Sequence, residues 1–246
     1  MERQNSLQTD GHSSDRQGRS SQTPMWKAVL VGEEGVGKTS LFQRLYRNRF
    51  VEHFRSTIGM DQGELTVTHE ASGKVCRFSL WDTAGSERHA SITLSYYRNS
   101  VVVLLVFSLD SQLSLPKLRN WVADAKMFSP TACLFLIGNK MDVASSMDED
   151  LASISAEAAE HFWKSEFPND IKALYRVSAK TGDGIAEAMQ GVCGHVLQVE
   201  SEPSRKKAAS DPAREDKLVD KSVLELDRQT STGREHARQS RSFSCC

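Results

Sequence analysis

The residues best placed to do chemistry form one octet, Gly32-Glu33-Glu34-Gly35-Val36-Gly37-Lys38-Thr39. The spacing G-x-x-x-x-G-K-[ST] suits a backbone that curls around a polyphosphate with its N–H groups turned inward, because a Cβ at the tight points would block the approach. Lys38 can then reach the β- and γ-phosphates, and the Thr39 hydroxyl can ligate a Mg²⁺ ion bridging them. Glu34, Gly35, Val36, Gly37, Lys38, Thr39 and Ser40 are therefore candidate nucleotide contacts. A glycine-rich turn between strand and helix is the plain alternative. The flanks disfavour it: 28–31 is an apolar run that reads as a buried strand, and 38–46 an amphipathic run whose positive helix end would face the phosphates.

Three further groups follow in order. Asp82-Thr83-Ala84-Gly85 ends a strand, where the carboxylate can hold Mg²⁺ and the Gly85 N–H can approach a γ-phosphate. Asn139-Lys140-Met141-Asp142 follows another strand. A carboxylate at Asp142 can accept from both N1–H and the 2-amino group of guanine, whereas adenine offers an acceptor at N1 and no 2-amino donor. Ser178-Ala179-Lys180 ends the last strand and can supply a backbone N–H to the guanine O6. An ATP-using P-loop kinase or ATPase is disfavoured by Asp142, which adenine would leave unpaired.

The elements that must position these groups are legible from periodicity. Strands are expected at 28–31, 63–70, 75–81, 101–107, 134–138 and 171–177, the second and third joined as a hairpin at Ala71-Ser72-Gly73. Helices are expected at 38–46, 112–128, 155–166 with Ser155 as cap, and 185–199. Strands alternating with helices predict a mostly parallel, six-stranded, doubly wound α/β sheet with ligands at the C-terminal ends of its strands.

The chain has 246 residues, 39% of them hydrophobic, and a net charge of −1, so a sizeable core is affordable and no global field favours nucleic acid. The apolar residues concentrate in 25–199, which leaves 1–24 as a polar, disordered arm and 200–246 as a flexible tail. No apolar run reaches the roughly 20 residues needed to cross a bilayer, and no secretory signal is read at the N-terminus, so a cytosolic protein is expected. Cys76, Cys133 and Cys193 lie in apolar segments and read as reduced core thiols. Cys245 and Cys246 close the sequence at a spacing that suits no zinc site.

Taken together, the phosphate loop, D-T-A-G, N-K-x-D and S-A-K resemble the Ras-like small GTPases, a P-loop GTPase fold. Ser56-Thr57-Ile58-Gly59-Met60-Asp61, Trp81 to Arg88, Ser91-Ile92-Thr93, Tyr96 to Ser100 and the Cys-Cys ending resemble the Rab branch more narrowly. The resemblance implies a membrane-traffic switch that hydrolyses GTP slowly and meets exchange factors, activating proteins and effectors through Thr57 to Asp61, Trp81 and the 86–97 run. It implies that Thr57 closes a first switch over Mg²⁺ and the γ-phosphate, that Phe50 packs on the guanine edge, and that 86–97 forms a second switch. It also implies two geranylgeranyl groups on Cys245 and Cys246, added by the prenylation machinery, anchoring the chain to the cytosolic face of an intracellular membrane beside a soluble pool.

Three departures from the family stand out. Ser86 occupies the place of the glutamine that orients the attacking water and is too short to do so. Glu34 stands where relatives have a small residue, and its carboxylate either crowds the γ-phosphate and an incoming arginine finger or turns to solvent. Gln62 replaces a phenylalanine that would complete an aromatic patch with Trp81 and Tyr96, which are either exposed anchors or core aromatics. Glu34 and Ser86 together predict weak intrinsic hydrolysis, or in the alternative a largely GTP-locked interaction module with little turnover.

Overall fold

A computed structural model of the chain describes residues 23–52, 60–83, 96–144 and 154–201. Within them strands and helices alternate as β1 (Met25–Val31), α1 (Lys38–Arg47), β2 (Met60–Thr68), β3 (Val75–Thr83), β4 (Val102–Ser108), α2 (Leu118–Phe128), β5 (Cys133–Asn139), α3 (Met141–Ala144), α4 (Ala156–Glu166), β6 (Ile171–Arg176) and α5 (Ile185–Ser201). The strands form one sheet in the order β2-β3-β1-β4-β5-β6. Only β2 and β3 pair antiparallel, as the hairpin requires. The other four pairings are parallel.

The sheet is wound on both sides because its central strands are apolar on both faces. Every residue of β4 and β5 is buried, the pattern of parallel strands covered by helices above and below. Leu30, Phe78, Leu104, Val106 and Phe135 pack under α1 and α5, with Leu41, Phe42, Val192 and Val196 from those helices. On the opposite face Val29, Val31, Val103, Leu105 and Leu136 meet Leu118, Trp121 and Val122 of α2 and Ala159 of α4. The expected six-stranded, doubly wound sheet is what forms.

Element ends follow local chemistry. Ser155 caps α4, its Oγ accepting from the Ala158 N–H at 3.1 Å. The helix expected from residue 112 starts instead at Leu118. The Ser114 side chain exchanges bonds with both the N–H and the C=O of Ser108, at 3.0 and 2.9 Å, and this local alternative holds 110–117 in turns. Helix α3 has four residues, too few to show a period. Helix α5 runs to Ser201, past the expected domain end at 199. The arm 1–24 and tail 200–246, apart from 23–24 and 200–201, lie outside the described residues.

One expectation about the cysteines is corrected. Cys76 on β3 and Cys193 on α5 are joined in a disulfide, their Cα atoms 6.2 Å apart, while Cys133 is a buried free thiol. The reduced reading treated each cysteine by its own segment and could not see that α5 lies across β3.

Candidate functional site

The octet links the end of β1 to the start of α1 at the C-terminal edge of the sheet. Two of its glycines are there because nothing else fits. Gly32 has φ 142° and would place a Cβ 2.1 Å from the Val106 carbonyl oxygen, and Gly37 has φ 90° and would place one 2.4 Å from Asn139 Nδ2. Lys38 is buried, and its ammonium donates to the carbonyls of Gly32 and Glu33 at 2.9 Å each. Burial lowers its pKa to about 8, with Asp82, Glu33 and Glu34 pulling the other way. Glu34 itself is exposed at the crest of the loop, the second of its two expected dispositions.

Asp82, near the end of β3, is fully buried, and among the described residues neither of its carboxylate oxygens has a hydrogen-bond partner of ordinary geometry. Desolvation raises its pKa to about 6, Asp61 opposite it on β2 adds to the rise, and the Thr39 hydroxyl and Lys38 ammonium oppose it. A buried carboxylate beside a hydroxyl and a backbone loop is a donor set that fits a hard divalent cation such as Mg²⁺. Next along the strand, Thr83 is occupied structurally, donating from Oγ1 to the Leu30 carbonyl at 2.7 Å.

The loops after β5 and β6 meet the octet from the other end. Asn139, buried at the end of β5, donates from Nδ2 to the Val36 carbonyl at 3.0 Å and to that of Gly37 at 3.4 Å. Its Oδ1 accepts from the Ala179 N–H at 3.0 Å, so one side chain ties the phosphate loop to the Ser178-Ala179-Lys180 turn. Lys140 takes a left-handed φ of 63° and pairs with Asp110 at 3.1 Å. Asp142 lies in the first turn of α3, where its Oδ1 accepts from Ser178 Oγ at 2.6 Å, and Ser178 Oγ accepts in turn from the Thr181 N–H at 3.0 Å. Phe50 is half-buried just beyond α1.

The octet, Asp82, Asn139, Lys140, Asp142 and the Ser178 turn thus share the C-terminal edge of the sheet. Thr57, Gly85, Ser86, the 86–95 part of the second-switch run, and Cys245 and Cys246 lie outside the described residues. Of the aromatic pair, Tyr96 is a core residue at 3% exposure. Trp81 is half-buried, with its Nε1 donating to Ser79 Oγ at 2.9 Å and the Lys27 ammonium 4.1 Å from its ring centroid. Gln62 donates to the same Ser79 oxygen at 2.8 Å.

Sequence reasoning missed two supports of the site. Glu33 reaches away from the loop to α2, accepting from Trp121 Nε1 at 3.1 Å and from Lys117 Nζ at 3.3 Å. Arg44 reaches from α1 to the turn after β6, 135 residues on. Neither carries a local signal, because each depends on which loops the sheet order brings side by side.

A model of the Ras family matches residues 27–198. The chain is 30% identical over 237 residues to the Ras-related protein RABA5e of Arabidopsis thaliana, an alignment covering 95% of this chain and 98% of that one. It is 33% identical over 165 residues to the Ras-related protein RabC of Dictyostelium discoideum, covering 66% and 79% of the two chains. With the GTP-binding protein YPT52 of Saccharomyces cerevisiae it shares 32% identity over 191 residues, covering 68% and 80%.

Proposed function

The chain belongs to the Ras family of small GTPases, in its Rab-like branch, and from that membership we propose that it is a GTP/GDP switch of intracellular vesicle traffic with weak intrinsic hydrolysis. The observation that carries the reading is the meeting of three features at one sheet edge: the phosphate loop, the buried carboxylate of Asp82 and the carboxylate of Asp142, placed to read the base. Lys38 rests on two loop carbonyls and exchanges them for β- and γ-phosphate oxygens when nucleotide binds. The N–H groups of 34–39 line the same curve. Asp142 selects guanine through N1–H and the 2-amino group, steadied by Ser178, and a backbone N–H of the Ser178-Ala179-Lys180 turn meets O6. Phe50 covers the edge of the base.

Thr39, Asp82 and, in the GTP state, Thr57 would hold Mg²⁺, which offsets the charge of the phosphates when bound. Gly85 offers its N–H to the γ-phosphate. Ser86 leaves the attacking water without the side-chain amide that usually orients it, and Glu34 adds a negative charge at the rim where an arginine finger would enter. These two residues support a second reading, a module that stays GTP-bound and works through its partners with little turnover. An activating protein that brings its own glutamine and arginine would rescue the cycle.

Exchange factor, activator and effectors of the Rab type engage Thr57 to Asp61, Trp81 and the 86–97 run. Two geranylgeranyl groups on Cys245 and Cys246 anchor the chain to the cytosolic face of an organelle, a binding strength that one chain alone does not reach. Among the described residues no helix is long and apolar enough to cross a membrane. The deciding experiment identifies the nucleotide that co-purifies with the protein and follows loaded GTP in a single turnover, with and without an activator. Persisting GTP supports the locked module, release of phosphate supports the switch, and a preference for ATP over GTP would sink both.

A further inference from the structure

Among the described residues Arg44 makes four hydrogen bonds from α1, none of them to a charged group. Its Nε donates to the Ala179 carbonyl at 2.9 Å and its Nη2 to the Lys180 carbonyl at 2.6 Å. Nη1 completes the set on the backbone and side-chain oxygens of Asn48, both at 3.2 Å. Asn48 is the left-handed C-cap of α1, so the guanidinium is braced against the end of its own helix while its fork grips two successive carbonyls of the turn after β6. A rigid planar fork with parallel donors matches such a pair of acceptors, and an ammonium, a point charge without that planar geometry, would hold their directions less firmly.

The grip has a directional consequence. A trans peptide is planar with its C=O and N–H antiparallel, so holding the Ala179 carbonyl fixes the Lys180 N–H on the side away from Arg44. Holding the Lys180 carbonyl likewise aims the Thr181 N–H, which donates to Ser178 Oγ, the group that also binds Asp142. The same helix begins at Lys38, so Arg44 connects the phosphate end of the site to its base end along a route separate from Asn139.

We propose that Arg44 is a positioning residue for recognition of the purine O6, acting by fixing the peptide planes of the Ala179-Lys180-Thr181 turn. The inference rests on the guanine-nucleotide reading above. Three diphosphates separate the contributions: GDP, 6-thioguanosine diphosphate, which keeps N1–H and the 2-amino group but replaces O6 with a weak sulfur acceptor, and inosine diphosphate, which keeps O6 but lacks the 2-amino group. Wild-type protein is expected to favour GDP over the 6-thio analogue by roughly tenfold, the worth of one well-aimed hydrogen bond. In Arg44→Ala this ratio falls to within about twofold of unity while the GDP-to-inosine ratio stays at its wild-type value, and Arg44→Lys lies between. Arg47→Ala, which removes a cation from the same helix end where Arg47 stacks on Tyr46, leaves both ratios unchanged.

An unchanged GDP-to-thio ratio in Arg44→Ala, or equal weakening of all three ligands, overturns the proposal. Should Arg44→Ala not fold, the same comparison on Arg44→Lys decides it. Failure of the underlying reading shows separately, as wild-type protein that binds GDP no better than ADP.

Discussion

Asp82 is a carboxylate that the fold keeps out of water with the Thr39 hydroxyl and the Lys38 ammonium only partly offsetting the cost, and this has a pH signature. Its pKa rises from an ordinary 3.8 to about 6, so between those values the folded, nucleotide-free protein holds a proton that the unfolded chain has released. Stability of that form therefore falls as pH rises through the window, by at most about 3 kcal/mol, and this part of the slope is flat above it. Denaturant titrations of nucleotide-free protein from pH 4 to 7 should show the decline, and Asp82→Asn should remove it; an identical slope in the variant would place the effect elsewhere. If Asp82 holds Mg²⁺ as proposed, the ion displaces the same proton, and metal affinity should weaken as pH drops below about 6. In the proposed cycle Glu34 and Ser86 would act on rate rather than stability. Glu34→Gly combined with Ser86→Gln is expected to speed single-turnover GTP hydrolysis by on the order of a hundredfold, read as phosphate release, with GDP affinity little changed. No acceleration would show that neither residue limits the reaction.

At the scale of elements, the disulfide closes the largest loop a covalent bond spans among the described residues, 117 residues from β3 to α5. Chain entropy assigns a loop of that size roughly 4 to 5 kcal/mol, which for a domain of this length is a melting point lowered by about 10 °C on reduction. Melting with and without dithiothreitol should show the drop, and Cys76→Ala should melt low under both conditions. If reductant changes nothing in wild-type protein, the two sulfurs are thiols in solution. Both cysteines are fully buried, which shields the bond from reductants until the hairpin and α5 separate. The bond also marks where sequence reading stops. Strand and helix periods, the Ser155 cap and the turn at Gly73 are written in neighbouring residues, so the sheet and the order of its loops are legible in the sequence. The pairing of Cys76 with Cys193, the burial of Tyr96 and the reach of Glu33 to Trp121 depend on which elements stack, and a single sequence carries no local trace of that.

For the whole molecule, the sheet order β2-β3-β1-β4-β5-β6 brings the C-terminal ends of β1, β3, β5 and β6 together, and the loops there hold one another through polar side chains. Asn139 spans from the octet to the turn after β6, Ser178 holds Asp142, and Lys140 pairs with Asp110 beyond β4. The edge is thus held together by the protein's own side chains, and buried Asp82 and Lys38, the latter on backbone carbonyls, are two groups that a Mg²⁺-nucleotide complex would satisfy together. Binding energy should therefore appear as stability of the entire domain. Nucleotide-free protein given Mg²⁺-GDP at about 1,000 times its dissociation constant should gain roughly 4 kcal/mol, a rise in melting point of about 8 to 16 °C. ADP at the same concentration should give little. Asp142→Asn should lose most of the GDP shift and gain one with xanthosine diphosphate, whose 2-oxo group accepts from the new amide where guanine's 2-amino group donated to the carboxylate. An Asp142→Asn protein that still melts high with GDP and ignores the xanthine nucleotide would mean that the base is read elsewhere on the sheet edge.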